Sequence, residues 1–243
     1  MSASYRVVWK GPVQLKSGMG IASREYVKAL RRQGIRTDIG TPAGASNRRN
    51  RLLIYHHTPD TLNAAKERKL YSRIIVNTVW ETTRIPRRWV KPINQADAVC
   101  VPSYHNMKAL RNSGVKVPIY IVPHGVHART YAAGNRKASA AKRFTFISVF
   151  GFQHRKNPEA LLRAYWEEFS AADNVQLMIK TSGYSSRESG EWIRRQIQAY
   201  KAKLRIHKST APIQIITKHL SVQSMKSLYA KGNVFVLPTR GEG

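Results

Sequence analysis

The chain has 243 residues, of which 42% are hydrophobic, so it can form one large domain or two medium-sized ones. Its single cysteine, Cys100, excludes an intrachain disulfide and favours a reducing compartment. The sequence has neither an apolar run of the roughly 20 residues that cross a bilayer nor the apolar segment of a signal peptide. We therefore expect a cytoplasmic protein that is soluble or peripheral at a membrane.

Charge is the feature of the composition that departs most from the ordinary. There are 42 Lys and Arg residues against 13 Asp and Glu, which gives a net charge of +29. Residues 1–142 hold 26 of the basic and six of the acidic residues, so the excess is concentrated in the first part of the chain. The positive electrostatic potential of so basic a chain attracts anionic lipid headgroups, nucleic acid or phosphorylated substrates. A surface that serves only solubility is the alternative.

Short apolar runs alternate with helical periodicity through the first part of the chain. Strands are predicted at Tyr5–Trp9, Ile35–Ile39, Arg51–Tyr55, Ile74–Val79, Ala98–Val101 and Ile119–Val122, and helices at Ile21–Arg32 and Tyr104–Arg111. A glycine-containing loop, Lys10–Gly20, joins the first strand to the first helix. This order brings backbone N–H groups and a helix N-terminus to a phosphate, although a tight turn explains the glycines equally well.

Polar and aromatic residues follow two of these strands. His56 and His57 come directly after the third strand, and Trp80 and Glu81 follow the fourth. Ligands of α/β proteins bind beyond the carboxyl ends of parallel strands, so these residues are candidates for catalysis or acceptor binding. A solvated pair of loop histidines is the alternative for the first two, and Trp80 either stacks on an acceptor or simply packs.

The second part of the chain repeats the same alternation after a segment of small and polar residues, 128–142, which is predicted to be a linker. Strands are predicted at Phe144–Phe150, Val175–Ile179, Ile213–Ile216 and Val234–Leu237, and helices at Pro158–Phe169, Glu188–Leu204 and Val222–Tyr229. Strands that alternate with helices indicate parallel sheets, and hence two Rossmann-like units. We predict an N-terminal domain of residues 1–127 and a C-terminal domain of residues 143–243.

An ordered set of short motifs resembles one enzyme family. The set consists of Gly18-Met19-Gly20, Trp80-Glu81-Thr82, Arg84-Ile85-Pro86, Asp97-Ala98-Val99, Val101-Pro102-Ser103, Val122-Pro123-His124-Gly125-Val126, Arg155-Lys156-Asn157, Lys180, Leu228-Tyr229-Ala230 and Pro238-Thr239-Arg240-Gly241-Glu242-Gly243. Together they resemble the retaining GT-B glycosyltransferases of family 4, which use nucleotide-sugar donors. Each piece is weak by itself, but the order of the set covers nearly the whole chain.

The resemblance implies an α/β fold of two Rossmann-like domains that face each other across a cleft, with the acceptor in the N-terminal domain and the donor in the C-terminal one. It implies retaining transfer of a sugar from a nucleoside-diphosphate sugar to a hydroxyl of a saccharide, a lipid-linked molecule or another anionic acceptor. Basic side chains and backbone N–H groups neutralise the leaving diphosphate in this family, so no cofactor and no metal site is expected.

The resemblance also assigns roles to individual residues. Lys156 matches the phosphate-binding lysine, Arg155 beside it can add a second contact, and Gly18 and Gly20 let the backbone approach the same diphosphate. Glu242 matches the first glutamate of the family's paired-glutamate motif, near the donor sugar. The predicted catalytic residues are Glu242, His57 and Glu81; the predicted diphosphate ligands are Lys156, Arg155, Gly18 and Gly20; His56, Trp80 and Arg240 are further acceptor-site candidates.

The sequence departs from the family pattern at three places. Phe150 stands where many members carry an arginine, and His127 stands where an aspartate is usual. The second glutamate and the strands and helices that follow it in the family are not in the sequence, so we expect a C-terminally truncated enzyme with an exposed edge strand. Such an edge predicts a homodimer or larger assembly. It also leaves open a degenerate, non-catalytic protein that binds nucleic acid or a membrane, or a transferase that glycosylates nucleic acid.

Overall fold

The computed structural model describes residues 5–41, 48–126, 128, 143–183, 185 and 187–242. The chain divides into two compact units, one of Met1–Gly125 together with Glu242–Gly243 and the other of Val126–Gly241. Each unit is a parallel sheet with helices packed on it, as the alternation of elements predicts. None of the helices in the described ranges combines the length and the apolar character needed to cross a bilayer.

The first unit contains a six-stranded parallel sheet in the order β2-β1-β3-β4-β5-β6. Its strands are β1 (Arg6–Lys10), β2 (Thr37–Ile39), β3 (Arg51–Tyr55), β4 (Arg73–Asn77), β5 (Ala98–Val101) and β6 (Ile119–Ile121), and its helices are α1 (Gly18–Arg32), α2 (Ala64–Glu67), α3 (Arg87–Asn94) and α4 (Tyr104–Asn112). Short 3-10 turns lie at Arg48–Asn50 and Pro59–Thr61.

Two hydrophobic clusters hold this unit together. The larger one lies between the sheet and helices α2, α3 and α4, and includes Leu53, Ile74, Ile93 and Leu110, all fully buried. A smaller cluster around Trp9 lies under α1. Full burial of a side chain of this size stabilises a fold by roughly 1.5–3 kcal/mol, so the larger cluster fixes the position of all three helices.

The second unit contains a four-stranded parallel sheet in the order β10-β7-β8-β9. Its strands are β7 (Phe144–Gly151), β8 (Val175–Ser182), β9 (Ile213–Ile216) and β10 (Val234–Phe235), and its helices are α5 (Pro158–Glu168), α6 (Gly190–Lys203) and α7 (Val222–Lys231). Strand β10 is an edge strand, as expected, and Val234 and Phe235 are 41% and 51% exposed. Helices α5 and α6 pack on one apolar cluster and α7 on another.

Helices α2 and α3 lie where no element is predicted. Helix α3 follows Pro86 and buries Trp89 and Ile93, four residues apart on one face, while its charged residues face outward. Its short length and the internal Pro92 hide this pattern in the sequence.

The predicted linker, 128–142, lies outside the described residues except for Ala128, and so do His127 and Gly243. The boundary between the two compact units falls after Gly125, close to the predicted end of the N-terminal domain. The predicted linker and the exact domain limits therefore stay predictions.

Candidate functional site

The loop between β1 and α1 is held by one serine and one arginine. Ser17 caps α1, because its Oγ accepts a hydrogen bond from the backbone N–H of Gly20 at 3.3 Å. Arg24, nearly two turns into the helix, donates through Nη1 to the carbonyl oxygens of Val13 and Leu15, both at 2.7 Å. The loop thus has a fixed conformation, as a cradle for a phosphate would require.

The two glycines predicted to approach a diphosphate have different surroundings. A Cβ on Gly20 would collide with the carbonyl oxygen of Leu15, so only glycine fits there. A Cβ on Gly18 would meet nothing within 4 Å. Gly20 is therefore explained by the packing of its own loop, whereas Gly18 opens α1 at an uncrowded position. Their predicted role towards a diphosphate stays a prediction.

His56 lies in a buried aromatic cluster just beyond the carboxyl ends of β1 and β3. Its backbone N–H donates to the carbonyl of Lys10 at 2.7 Å, and its Nδ1 lies 2.7 Å from the hydroxyl of Ser23. Trp9 donates through Nε1 to the same hydroxyl oxygen at 3.2 Å. Because Ser23 accepts this bond, its own proton is available for Nδ1 of His56, which favours the tautomer protonated on Nε2. The ring lies edge-on to Trp9 and Tyr26, with centroid distances of 5.3 and 6.2 Å.

The two histidines after β3 differ in accessibility and charge. His56 is 3% exposed, and burial, with smaller contributions from His124 and His57, lowers its pKa to about 4. It is a neutral hydrogen-bonding group at pH 7. His57 is half-buried with its ring 5.4 Å from that of Tyr55, and burial lowers its pKa as well. His57 is therefore the more accessible of the two, and His56 has its Nδ1 engaged in the cluster.

Tyr26 connects α1 to the segment that follows β6. Its hydroxyl donates to the carbonyl of Val122 at 3.0 Å and lies 3.2 Å from Nδ1 of His124. Burial raises the pKa of Tyr26, and the electrostatic interaction with the nearby Cys100 adds a smaller increase. Sequence reasoning does not find this contact, because its partners are almost 100 positions apart and no local pattern marks the tyrosine.

Trp80 is held within its own loop. Its backbone N–H donates to Asn106 Oδ1 at 2.6 Å, and its Nε1 lies 2.7 Å from Thr82 Oγ1 and 2.6 Å from the carbonyl of Arg84. The indole meets the ring of Trp89 edge-on at 4.9 Å. These contacts hold the indole in place, and its predicted role towards an acceptor stays a prediction. Glu81, the next residue, is half-buried.

In the second unit, the loops that follow β7 and β10 are bound to each other. The backbone N–H of Arg240 donates to the carbonyl of Arg155 at 2.8 Å, and Arg155 Nη1 donates to the carbonyl of Gly241 at 2.7 Å. The hydroxyl of Thr239 lies 3.0 Å from the same Arg155 carbonyl. Arg240 Nη2 donates to Asn157 Oδ1 at 2.9 Å. Since β7 and β10 are paired neighbours, both loops leave the sheet at the same end.

These bonds bear on three predicted site residues. Arg155 and Arg240 each use guanidinium N–H groups to hold the paired loops, a role the sequence does not reveal. Lys156 lies between Arg155 and Asn157, half-buried, in a 3-10 turn directly before α5. Asn157 adopts the left-handed conformation with φ 54°, which asparagine tolerates better than most residues. A lysine thus precedes the N-terminus of α5, where the helix dipole also favours an anion.

Lys180 and Glu242 are two further motif residues from the second part of the chain. Lys180, on β8, donates through Nζ to the carbonyl of Thr181 at 3.2 Å, and burial lowers its pKa. Glu242 follows the paired loops and is exposed. Within the described ranges, no group of three or more His, Cys, Asp or Glu residues could hold a metal ion. The expectation of a metal-free site stays a prediction.

No family model and no curated protein sequence matches the chain, whereas solved structures do. HepE from Anabaena, in complex with UDP and glucose, gives a TM-score of 0.67 at 9% identity, over 97% of this chain and 74% of that one. The catalytic domain of starch synthase IV from Arabidopsis thaliana, bound to ADP and acarbose, gives 0.60 at 11% identity, over 98% and 79%.

An E. coli trehalose-6-phosphate structure bound with UDP-2-fluoro glucose gives a TM-score of 0.59 at 13% identity. The match covers 80% of this chain but only 53% of the length of the E. coli chain. These neighbours decide the fold. The chain has the GT-B fold. The expected α/β class with parallel Rossmann-like sheets is confirmed, and at these identities the likeness to GT-B proteins concerns the fold alone.

Proposed function

We propose that the chain is part of a nucleotide-sugar-dependent glycosyltransferase, and that the paired loops after β7 and β10 form its donor diphosphate site. The observation that carries the proposal is the joining of these loops, within a GT-B fold, by the hydrogen bonds of Arg155, Thr239 and Arg240. They bring Lys156 and the N-terminus of α5 to the carboxyl ends of neighbouring parallel strands, where ligands of such sheets bind.

The proposed chemistry follows from the charge of the leaving group. A departing nucleoside diphosphate develops negative charge, and a fixed cation beside a helix N-terminus stabilises that charge without reorganisation. Lys156 supplies the cation, and the hydrogen-bonded Arg155 and Arg240 hold the loops around it. The structural neighbours were solved in complex with UDP, ADP and a UDP-sugar, which supports a nucleotide-sugar donor.

The finer assignments belong to the same proposal. We assign the chain to family 4 and to the retaining mechanism, which passes through an oxocarbenium-like state. Glu242, His57 and Glu81 are the proposed catalytic residues, and residues 1–127 the proposed acceptor domain. Gly18 and Gly20 are assigned to the diphosphate, His56 and Trp80 to the acceptor side. The acceptor is a hydroxyl of a saccharide or of a lipid-linked or other anionic molecule, and a cytoplasmic location is proposed.

Binding and turnover of a panel of UDP-, GDP- and ADP-sugars test the proposal. Calorimetry should show one nucleoside diphosphate binding to the chain, and Lys156→Ala should weaken it by about 10- to 100-fold, since a hydrogen bond to a charged group contributes roughly 1.5–3 kcal/mol. Lys203→Ala is the matched control, because this exposed lysine ends α6 and so lies at the opposite end of the sheet. Equal affinity of wild type and Lys156→Ala would reject the donor site.

The stereochemistry and the metal are tested separately from the donor site. Proton NMR of the first product formed should show the anomeric configuration of the donor, and inversion would reject the retaining assignment. Activity and binding should be unchanged by EDTA. A metal requirement would contradict diphosphate neutralisation by lysine and backbone N–H groups alone.

A further inference from the structure

The basic residues of the first unit greatly outnumber its carboxylates, which form ion pairs within the unit. Residues 1–125 contain 22 Lys and Arg against six Asp and Glu. Among the described residues, these carboxylates form ion pairs with bases of the same unit: Arg6–Asp38, Lys10–Glu67, Lys28–Glu25, Arg88–Asp60, and Asp97 with both Arg68 and Arg73. The remaining positive charge is therefore not neutralised by the unit itself.

Helices α2, α3 and α4 form one continuous layer on the sheet. Arg68, which ends α2, donates to the carbonyl of Gln95 at the end of α3 at 3.0 Å. Asn94, the last residue of α3, donates to the carbonyl of Gly114 at 3.0 Å and accepts from the backbone N–H of Lys116 at 2.7 Å, just beyond α4. The inner faces of all three helices are buried in the same cluster, so their outer faces share one surface.

We call the outer surface of these helices the basic layer, and it carries Lys66, Lys69, Arg87, Lys91, Lys108 and Arg111, all exposed. In the described part of the chain none of the six has a carboxylate within ion-pair distance. Neighbouring packed helices lie about 8–10 Å apart, which is close to the screening length at physiological salt. Charges on adjacent helices of the basic layer are therefore close enough to act on a partner together.

Exposed apolar side chains flank these charges. Tyr104 opens α4, is 69% exposed, and lies on the same helix face as Lys108 and Arg111, four and seven residues later. Leu70, just after α2, is 37% exposed. Tyrosine favours the boundary between water and lipid headgroups, and lysine and arginine stems can lie along apolar surface while their charges stay in water.

We propose that the basic layer docks on the surface of an anionic phospholipid bilayer. Helices packed side by side on a sheet offer a broad face to a plane, whereas reading duplex nucleic acid requires an element that enters a groove. Basic residues beside an exposed tyrosine and leucine match the pattern of interfacial binding. This inference does not depend on the proposed glycosyl transfer, because its readout is binding to vesicles.

Sedimentation with vesicles tests the proposal on the full chain. The chain should bind vesicles with about 30% phosphatidylserine, should not bind pure phosphatidylcholine vesicles, and should be released by salt. The triple variant Arg87→Gln, Lys91→Gln, Lys108→Gln should bind about 100-fold more weakly, from about 1 kcal/mol for each charge near an anionic surface. The triple control Arg194→Gln, Lys203→Gln, Lys226→Gln makes the same change of net charge at exposed positions of the second unit and should stay within about threefold of wild type.

Several results would overturn the proposal. Equal loss in both triple variants would show that net charge alone drives adsorption, and wild-type binding of the first variant would place the contact elsewhere. Tighter binding to duplex DNA than to vesicles, weakened by the same variant, would identify nucleic acid as the partner.

Tyr104→Ser should weaken vesicle binding about fivefold and leave elution from a heparin column unchanged; no change on vesicles would show that the ring does not enter the interface. All substituted residues are exposed, and circular dichroism of each variant checks the fold.

Discussion

His56 should make the stability of the first unit depend on pH between about 6.5 and 4. Its pKa is lowered from 6.5 to about 4, mainly by burial, so the native state resists a proton that the unfolded chain takes up below pH 6.5. The stability that the neutral ring contributes is complete above 6.5 and is lost as pH falls towards 4. The difference between the two pKa values corresponds to about 3 kcal/mol for this 3% exposed side chain.

The comparison of wild type with His56→Asn isolates this contribution, because all other titrating groups are shared. Urea unfolding followed by tryptophan fluorescence should show wild type losing about 3 kcal/mol more than the variant between pH 6.5 and 4. At pH 7 the variant should already be less stable, since it loses the contacts with Trp9 and Tyr26. An NMR titration of the assigned ring should give a midpoint near 4. Parallel pH profiles, or a midpoint near 6.5, would refute the claim that burial controls this histidine.

Three further predictions address the loops, a buried ion pair and assembly. Gly20→Ala should lower the free energy of unfolding by roughly 2 kcal/mol, because the new methyl group would clash with the Leu15 carbonyl. Gly18→Ala should change the free energy of unfolding by less than about 0.5 kcal/mol. Equal effects of the two substitutions in urea unfolding would contradict the packing argument. Glu67→Gln should cost about 2 kcal/mol, because the half-buried ammonium of Lys10 loses its charged partner and one of its two oxygen acceptors. A neutral result would show that water replaces the lost interaction. The exposed edge strand predicts a dimer or larger assembly, and a clean monomer at micromolar concentration by light scattering would count against it.

The strands were the most predictable elements of the fold. Strands β3, β5 and β9 have the predicted bounds, because each is a short run rich in β-branched or other apolar residues that ends at polar residues or at a proline. Helix α3 could not be predicted with equal ease, since it spans only Arg87–Asn94 and contains Pro92. Helix α2 is a single turn, and its position depends on burial of Ala64 and Glu67 against the rest of the unit.

The candidate site was predictable only as a set of positions. The sequence predicts a basic loop before α5 and a strand that ends in Pro238-Thr239-Arg240, but it does not show that the two meet. Their contact joins residues more than 80 positions apart, and it depends on β10 pairing beside β7. The Trp9, Ser23 and His56 cluster is hidden for the same reason.

By itself the sequence determined the composition-level properties and the local elements: the strong positive charge, the alternation of strands and helices, and the motifs that resemble one family. These follow from the periodicity and type of neighbouring residues, which a linear sequence contains directly. Only the tertiary structure decided which charges are paired and which remain on the basic layer, and which histidine is neutral and buried. Those properties depend on desolvation and on partners brought together by sheet pairing, and neither is a function of position along the chain.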